Sequence, residues 1–263
     1  MGAHRSGRGA GGSLVAKLST APAVSAQRSS PRVHLADARQ SSVVLSAAAS
    51  HHLVRVRRLR KGDPVEVFDG EGRVWSAEVD DASAQACALE VGPLLSETEP
   101  PKVRVELAVA LIKGDAMDRM LRAATELGVD DIRPLLSERS QLGRERADGR
   151  REHWRRILVS AAEQCRRAHL PRLHPALGFD DFLDQIDPAD CLLLRPGAPS
   201  LPMRLPHRSS TLLIGPEGGW TDAEVQRTEQ LGIRAFSLGD LILRAETAPL
   251  AALAALRHAW AWR

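Results

Sequence analysis

Two short segments near the C-terminus combine glycine with charge. Gly215-Pro216-Glu217-Gly218-Gly219 follows the apolar run of residues 211–214 and precedes Thr221 and Glu224, whose spacing is that of a helix capping box. Glycine lacks a Cβ, so the backbone there can approach a ligand closely, and Gly218 is where a branched side chain is expected to intrude and a positive φ to be needed. The C-terminal ends of parallel strands are also where α/β folds bind ligands. A tight turn without a ligand has the same spacing. The second segment, residues 238–247, is apolar for a loop yet carries Gly239, Arg244, Glu246 and Thr247. Such a loop must be covered, whether by an adenine ring, by a partner subunit or by packing under the helix that follows. Leu194-Arg195-Pro196 ends a third short apolar run. The Gly215 to Gly219 segment is neither a P-loop nor a Gly-x-Gly-x-x-Gly dinucleotide fingerprint.

Cations gather in two other places. Arg55, Arg57, Arg58, Arg60 and Lys61 put five positive charges into seven residues, and Arg139, Arg144, Arg146, Arg150, Arg151, Arg155 and Arg156 form a second group in and after an expected loop. The formal net charge is +3, but Arg5, Arg8, Lys17 and Arg28 lie in the acid-free first thirty residues; the remainder holds 32 basic and 33 acidic residues, a net of −1. Affinity for nucleic acid must therefore come from local patches, with a solvated charged face as the competing reading of each. His51 and His52 have no third ligand at metal-binding spacing, so no metal is expected. Cys87, Cys165 and Cys191 are far apart and odd in number. They form neither a disulfide framework nor a zinc site, which fits a reducing cytoplasm. Cys165 falls on an apolar helical stripe and reads as a small hydrophobe, not a nucleophile.

The elements that must carry these groups follow from periodicity. Residues 1–30 lack a sustained pattern and read as a disordered tail, although an acid-free start with Arg and Ser also resembles an organelle transit peptide. Residues 31–98 read as a small β-rich domain, with Val65, Val67, Val74 and Val79 flanking the turn Asp69-Gly70-Glu71-Gly72. Pro100-Pro101 reads as a hinge to a larger domain over residues 102–263. There, Val103, Val105, Leu107, Val109 and Leu111 alternate as a strand, and Met117, Met120, Leu121, Ala124 and Leu127 follow helical spacing to Gly128. A strand is expected over residues 132–136, and Trp154, Ile157, Leu158, Ala161 and Cys165 mark another helix. Residues 191–194 and 211–214 read as buried parallel strands. A helix should begin at Asp222 and stop near Gly232, a strand should end over residues 236–238, and a last helix should run from Ala248 to about Trp260. The alternation argues for an α/β domain around a mostly parallel sheet. No apolar run is long enough for a membrane span.

Taken in order, these segments resemble the RsmE family, SPOUT-superfamily methyltransferases acting on N3 of a uridine in 16S ribosomal RNA. Further similarity lies in His51 to Val56, Gly62-Asp63, Lys113-Gly114-Asp115, Ala124 to Gly128, Pro134 to Arg139 and Glu163-Gln164-Cys165. The resemblance implies a PUA-like β-barrel before a SPOUT methyltransferase domain with a deep trefoil knot, a homodimer, S-adenosylmethionine as cofactor, and 16S ribosomal RNA or the small ribosomal subunit as partner. It implies that Leu194, Ile214, Gly215, Gly218, Gly219, Leu238, Gly239, Leu243 and Thr247 hold the cofactor and that Glu217, Arg244 and Glu246 serve the transfer. His52, Arg55, Arg58, Lys61, Lys113 and Arg139 are the residues expected to meet RNA. The family often has Arg, or Pro then Arg, where this chain has Asp240-Leu241. A SPOUT enzyme acting on another RNA position, or a non-catalytic PUA-type RNA-binding dimer, would share much of this pattern.

Overall fold

A computed structural model describes residues 30–201 and 210–259. The first thirty residues, all but the last of them, and Trp260 lie outside the described residues. The N-terminal part is a five-stranded sheet of β1 (Arg32–His34), β2 (Ser42–Val44), β3 (Pro64–Phe68), β4 (Arg73–Asp81) and β5 (Ala88–Glu97) in the order β1-β3-β4-β5-β2. Only β1 and β3 run parallel. Alternate residues Val65 and Val67 turn inward to meet Val33, Leu45, Val79 and Leu89, which is the period-two signature of a sheet with one buried face. Between β2 and β3, α1 (Ala47–His51) runs into a π-helical turn, His52–Val56. Leu53 anchors that turn in the core while Arg55, Arg57 and Arg58 stay exposed. Arg58 then adopts φ 60°, a left-handed conformation unusual for a residue with a Cβ.

The larger part is a seven-stranded sheet paired in parallel throughout. Its elements are β6 (Val105–Ala110), α2 (Gly114–Glu126), β7 (Asp131–Leu136), α3 (Arg144–Cys165), β8 (Arg172–Leu173), β9 (Leu177–Gly178), α4 (Phe179–Leu183), β10 (Cys191–Leu194), β11 (Ser210–Ile214), α5 (Asp222–Gln230), β12 (Arg234–Phe236) and α6 (Ala248–Ala259). The strand order is β12-β10-β11-β6-β7-β8, with β9 also on β7. Central β6 is buried on both faces: Val105, Leu107 and Val109 meet α2, α3 and α6, whereas Ala108 meets α4 and Ile233. The face toward α2, α3 and α6 is the alternation read over residues 103–111, although the strand itself covers only 105–110.

Two expectations need correction. Of the second cationic group only Arg139 lies in a loop; Arg144 to Arg156 all lie on α3, a helix of 22 residues. Its first half buries only Ala147 before Trp154, so the sequence there has no apolar stripe to reveal a helix. The last strand stops at Phe236; Ser237 makes an isolated bridge to Ser200, and Leu238 turns away from the sheet.

The two sheets are joined through main chain. The β3–β4 turn lies along the segment after α3, with Leu170 N–H donating to Gly70 O at 2.9 Å, Gly72 N–H to Ala168 O at 3.1 Å, and Glu71 bridging His169. Thr98 N–H donates to Gly72 O at 2.9 Å, and Thr98 O lies 2.9 Å from His169 Nε2. The segment before Pro100-Pro101 is therefore tied down and is not a free hinge. Gly72 is required here: its φ is 109°, and a Cβ would collide with the Thr98 carbonyl. Phe68, Val74 and Ala162 bury together across the junction. Beside them Glu163 accepts from His34 N–H at 3.1 Å, and burial pushes its carboxyl pKa up.

Candidate active site

The two segments that combined glycine with charge, and the third after residue 194, meet in one cavity. β10, β11 and β12 lie side by side, and the loops leaving their C-terminal ends enclose about 650 Å³, within the usual range for a small-molecule site. Leu194, Ile214, Gly215, Gly219, Leu238, Gly239 and Leu243 line it, as do the charged Glu217, Arg244 and Glu246. Gly218 and Thr247 do not line it. Thr247 N–H instead donates to Arg244 O at 2.9 Å, closing the turn into α6.

The first loop is held from several sides. The capping box forms as expected: Glu224 N–H donates to Thr221 Oγ1 at 3.2 Å and Thr221 N–H to Glu224 Oε2 at 2.9 Å. Glu224 also accepts from Glu138 N–H at 2.9 Å, joining the end of β7 to the start of α5. Arg139 donates to Gly218 O at 2.7 Å and to Trp220 O at 3.4 Å. Its guanidinium is thus engaged in fixing this loop, a role the sequence did not suggest. Lys113 stands at the N-terminus of α2, and its backbone N–H donates to Glu217 Oε1 at 3.3 Å. The left-handed glycine is Gly219 (φ 68°), not Gly218; Gly239 in the other loop has φ 106°.

Sequence reasoning missed Trp220. The indole lines the cavity and packs on Phe179 at 4.9 Å between ring centroids. A Cβ at Gly215 would stand 3.1 Å from that ring, so the glycine is what lets backbone and indole sit together. Trp220 Nε1 is buried without a hydrogen-bond partner among the described residues, a state that costs free energy until an acceptor arrives. The signal was an aromatic between the glycine loop and the capping box. Its partner Phe179 is 41 positions upstream in the chain, and nothing local links the two.

The residues expected to meet RNA divide. Arg55 and Arg58 are exposed and make no ion pair among the described residues, whereas Lys61 is neutralised by Asp80 at 3.0 Å. His52 is held below the usual histidine pKa by burial and by the charges of Arg57 and His51. Burial pushes the Cys191 thiol up to about 12, which leaves it a packing residue at the foot of β10. Among the described residues no group of histidine, cysteine or carboxylate side chains could hold a metal, and no helix is long and apolar enough to cross a membrane.

Comparison with known proteins agrees with this geometry. An RNA methyltransferase domain family matches residues 98–257, and an RNA methyltransferase PUA domain family matches residues 45–92. Ribosomal RNA small subunit methyltransferase E of Synechocystis is 39% identical over 224 residues, covering 82% of this chain and 72% of that protein. The protein of the same name from Bacillus subtilis is 34% identical, covering 79% and 86%. The chain belongs to the ribosomal RNA small subunit methyltransferase E family. Among solved structures, the family's Neisseria gonorrhoeae member bound to S-adenosyl methionine superposes with a TM-score of 0.78 at 33% identity, covering 87% of this chain and 97% of that one. A putative methyltransferase from Legionella pneumophila with bound cofactor SAM gives 0.80 at 29% identity, covering 88% and 98%. The fold is the SPOUT methyltransferase α/β domain preceded by a PUA-like domain with a curled sheet.

Proposed function

We propose that this protein transfers a methyl group from S-adenosylmethionine to N3 of a uridine in 16S ribosomal RNA. The observation that carries the reading is the convergence of three loops, two of them glycine-bearing, on one cavity at the C-terminal ends of adjacent parallel strands. The residues fit the cofactor. The left-handed Gly219 and Gly239 expose backbone to a ligand, and the unpaired Trp220 Nε1 offers a donor. Apolar Leu194, Leu238 and Leu243 suit an adenine face, and Arg195, Arg244, Glu217 and Glu246 offer both signs of charge to an amino-acid moiety.

When bound, the cofactor supplies an electrophilic methyl group. The chain's residues then have two tasks: to hold N3 in line with that group and to accept the proton that N3 loses. Glu217 is suited to the second task, because Lys113 N–H fixes its carboxylate at the cavity mouth. Glu246 is steadied by Arg119 at 3.4 Å, and Arg244 is exposed without a side-chain partner among the described residues. Arg244 is thus suited to meet phosphate or a uracil oxygen.

The same reading takes residues 31–98 as the RNA-positioning domain and residues 102–263 as the catalytic domain, with the chain around the cofactor loops threaded as a trefoil knot. It makes the protein a cytoplasmic homodimer, for which the exposed Leu241 and Ile242 are the supporting observation. Calorimetry should show one S-adenosylmethionine site per chain. Mass spectrometry of 16S ribosomal RNA from a deletion strain should show the loss of one N3-methyluridine, restored by the wild-type chain. Cofactor binding with loss of a different methylated nucleotide would assign the enzyme to another RNA position, and no cofactor binding would leave a non-catalytic RNA-binding protein.

A further inference from the structure

The parallel sheet has a second concavity at its opposite end. A cleft of about 750 Å³ opens where the small domain meets the N-terminal ends of β6, β7 and β8. A strand of five or six residues is about 17–20 Å long, and that length of sheet separates the cleft from the cofactor loops. The cleft is rich in arginine, but its arginines are not equivalent. Arg167 pairs with Asp130 at 3.0 Å and Arg104 with Asp131 at 2.8 Å. Of the acidic groups at its rim, Glu71 is taken by Arg73 at 3.0 Å, and Asp130 is shared with Arg257 at 2.9 Å.

Arg151, Arg155 and Arg172 remain. All three are exposed, and none meets a carboxylate among the described residues; Arg151 donates only to the Leu173 carbonyl, at 3.3 Å. Arg151 and Arg155 are four residues apart on α3 and so share a face, and Arg172 begins β8. Across the cleft stand Pro100 and Pro101, whose fixed φ makes that wall rigid. The junction hydrogen bonds at Gly70, Gly72 and Thr98 hold the opposing walls at a set separation.

We infer that this cleft binds backbone phosphates of the RNA substrate outside the nucleotide being methylated, with Arg151, Arg155 and Arg172 as the contacts. Guanidinium is the group best matched to phosphate, and three uncompensated guanidinium groups in a preformed cleft on a body of net charge −1 mark a local anion site. The inference rests on the proposed RNA substrate.

The test uses the full chain, 16S ribosomal RNA transcript and assembled small subunits. Replacing Arg151, Arg155 and Arg172 together with Ala should weaken binding of the transcript on the order of tenfold and flatten the log–log salt dependence by about two units, since each single-strand phosphate contact contributes about −0.7. Replacing all three with Lys should restore most of the slope. S-adenosylmethionine affinity and melting temperature should stay at wild-type values, which excludes misfolding as the cause. Wild-type affinity and slope in the Ala variant, with the wild-type enzyme methylating the transcript normally, would overturn the cleft and leave the enzyme assignment intact. Loss of subunit binding with unchanged transcript binding would also overturn it, because the partner would then be a ribosomal protein. A wild-type chain that neither binds nor methylates 16S ribosomal RNA would remove the functional reading itself, and the cleft with it.

Discussion

The two loops that face each other across the cavity at the ends of β11 and β12 are built differently. The loop after β11 is fixed by Arg139 from the end of β7, by the backbone of Lys113, by the capping box of α5 and by Trp220 stacked on Phe179. The loop after β12 is anchored only at its two ends, at its entry by Ser237 pairing with Pro199 and Leu201 and near its exit by the Thr247 and Ala248 N–H groups donating to Arg244 O and Glu246 meeting Arg119. From residue 238 to residue 243 it makes no hydrogen bond to another described residue, and its apex exposes Leu241 at 84% and Ile242 at 86%. One wall of the cavity is therefore completed by the chain itself. The other is left for something else to complete, whether cofactor, RNA or a second copy.

The largest effect expected from this contrast is at Gly219. Gly219→Val forces a branched residue into φ 68°, at a cost of roughly 1–2 kcal/mol or more. S-adenosylmethionine affinity measured by calorimetry should fall at least about tenfold. Gly218→Val should do less, because Gly218 has no such φ and an added Cβ meets only the flexible Arg139 side chain, at 3.2 Å. Equal losses at the two positions would show that bulk, not backbone conformation, defines this wall.

An intermediate effect is expected at Arg139. Arg139→Ala removes two charge-assisted bonds at an exposed position, together worth about 1 kcal/mol, so KM for S-adenosylmethionine should rise several-fold. Arg139→Lys should recover only part of this, since an ammonium lacks the planar fork. If Arg139 fixes the loop, the salt dependence of RNA binding should not change in either variant. A flattened slope would return the residue to the RNA contact that the sequence suggested.

The smallest effect on the isolated fold belongs to the free loop. Leu241→Ser with Ile242→Ser should change unfolding stability by no more than about 0.5 kcal/mol in dilute protein. If a second copy covers these residues, light scattering should show the double variant dissociating at concentrations where the wild type remains dimeric. A wild-type chain that is monomeric at micromolar concentration would mean that cofactor or RNA completes the wall.

What was legible in the sequence follows the range of each interaction. The glycine loop, the capping box and the strands beside them depend on neighbours a few residues apart, and all were readable. Strands β1 and β2 were not, because three residues such as Arg32–His34 or Ser42–Val44 are too short to show alternation. The first half of α3 was hidden by its own polarity, since Ala147 alone is buried before Trp154. The tasks of Arg139 and Trp220 depend on contacts between segments far apart in the chain. Composition shows a guanidinium or an indole, but only the fold shows that one holds a carbonyl and the other lacks an acceptor.

The strand-like seam between the β3–β4 turn and residues 168–170 makes the molecule a ruler. Its marks are the exposed Arg55 and Arg58 on the π-helical turn at one end and the cavity behind β11 at the other. Because the seam is made of backbone hydrogen bonds closed over Gly72, rotating one mark against the other would break main-chain pairing and not merely shift side chains. An RNA touched at both marks is then selected by the distance between two of its own points. A folded RNA keeps that distance and an unfolded strand does not, so contact at both marks would read shape by length.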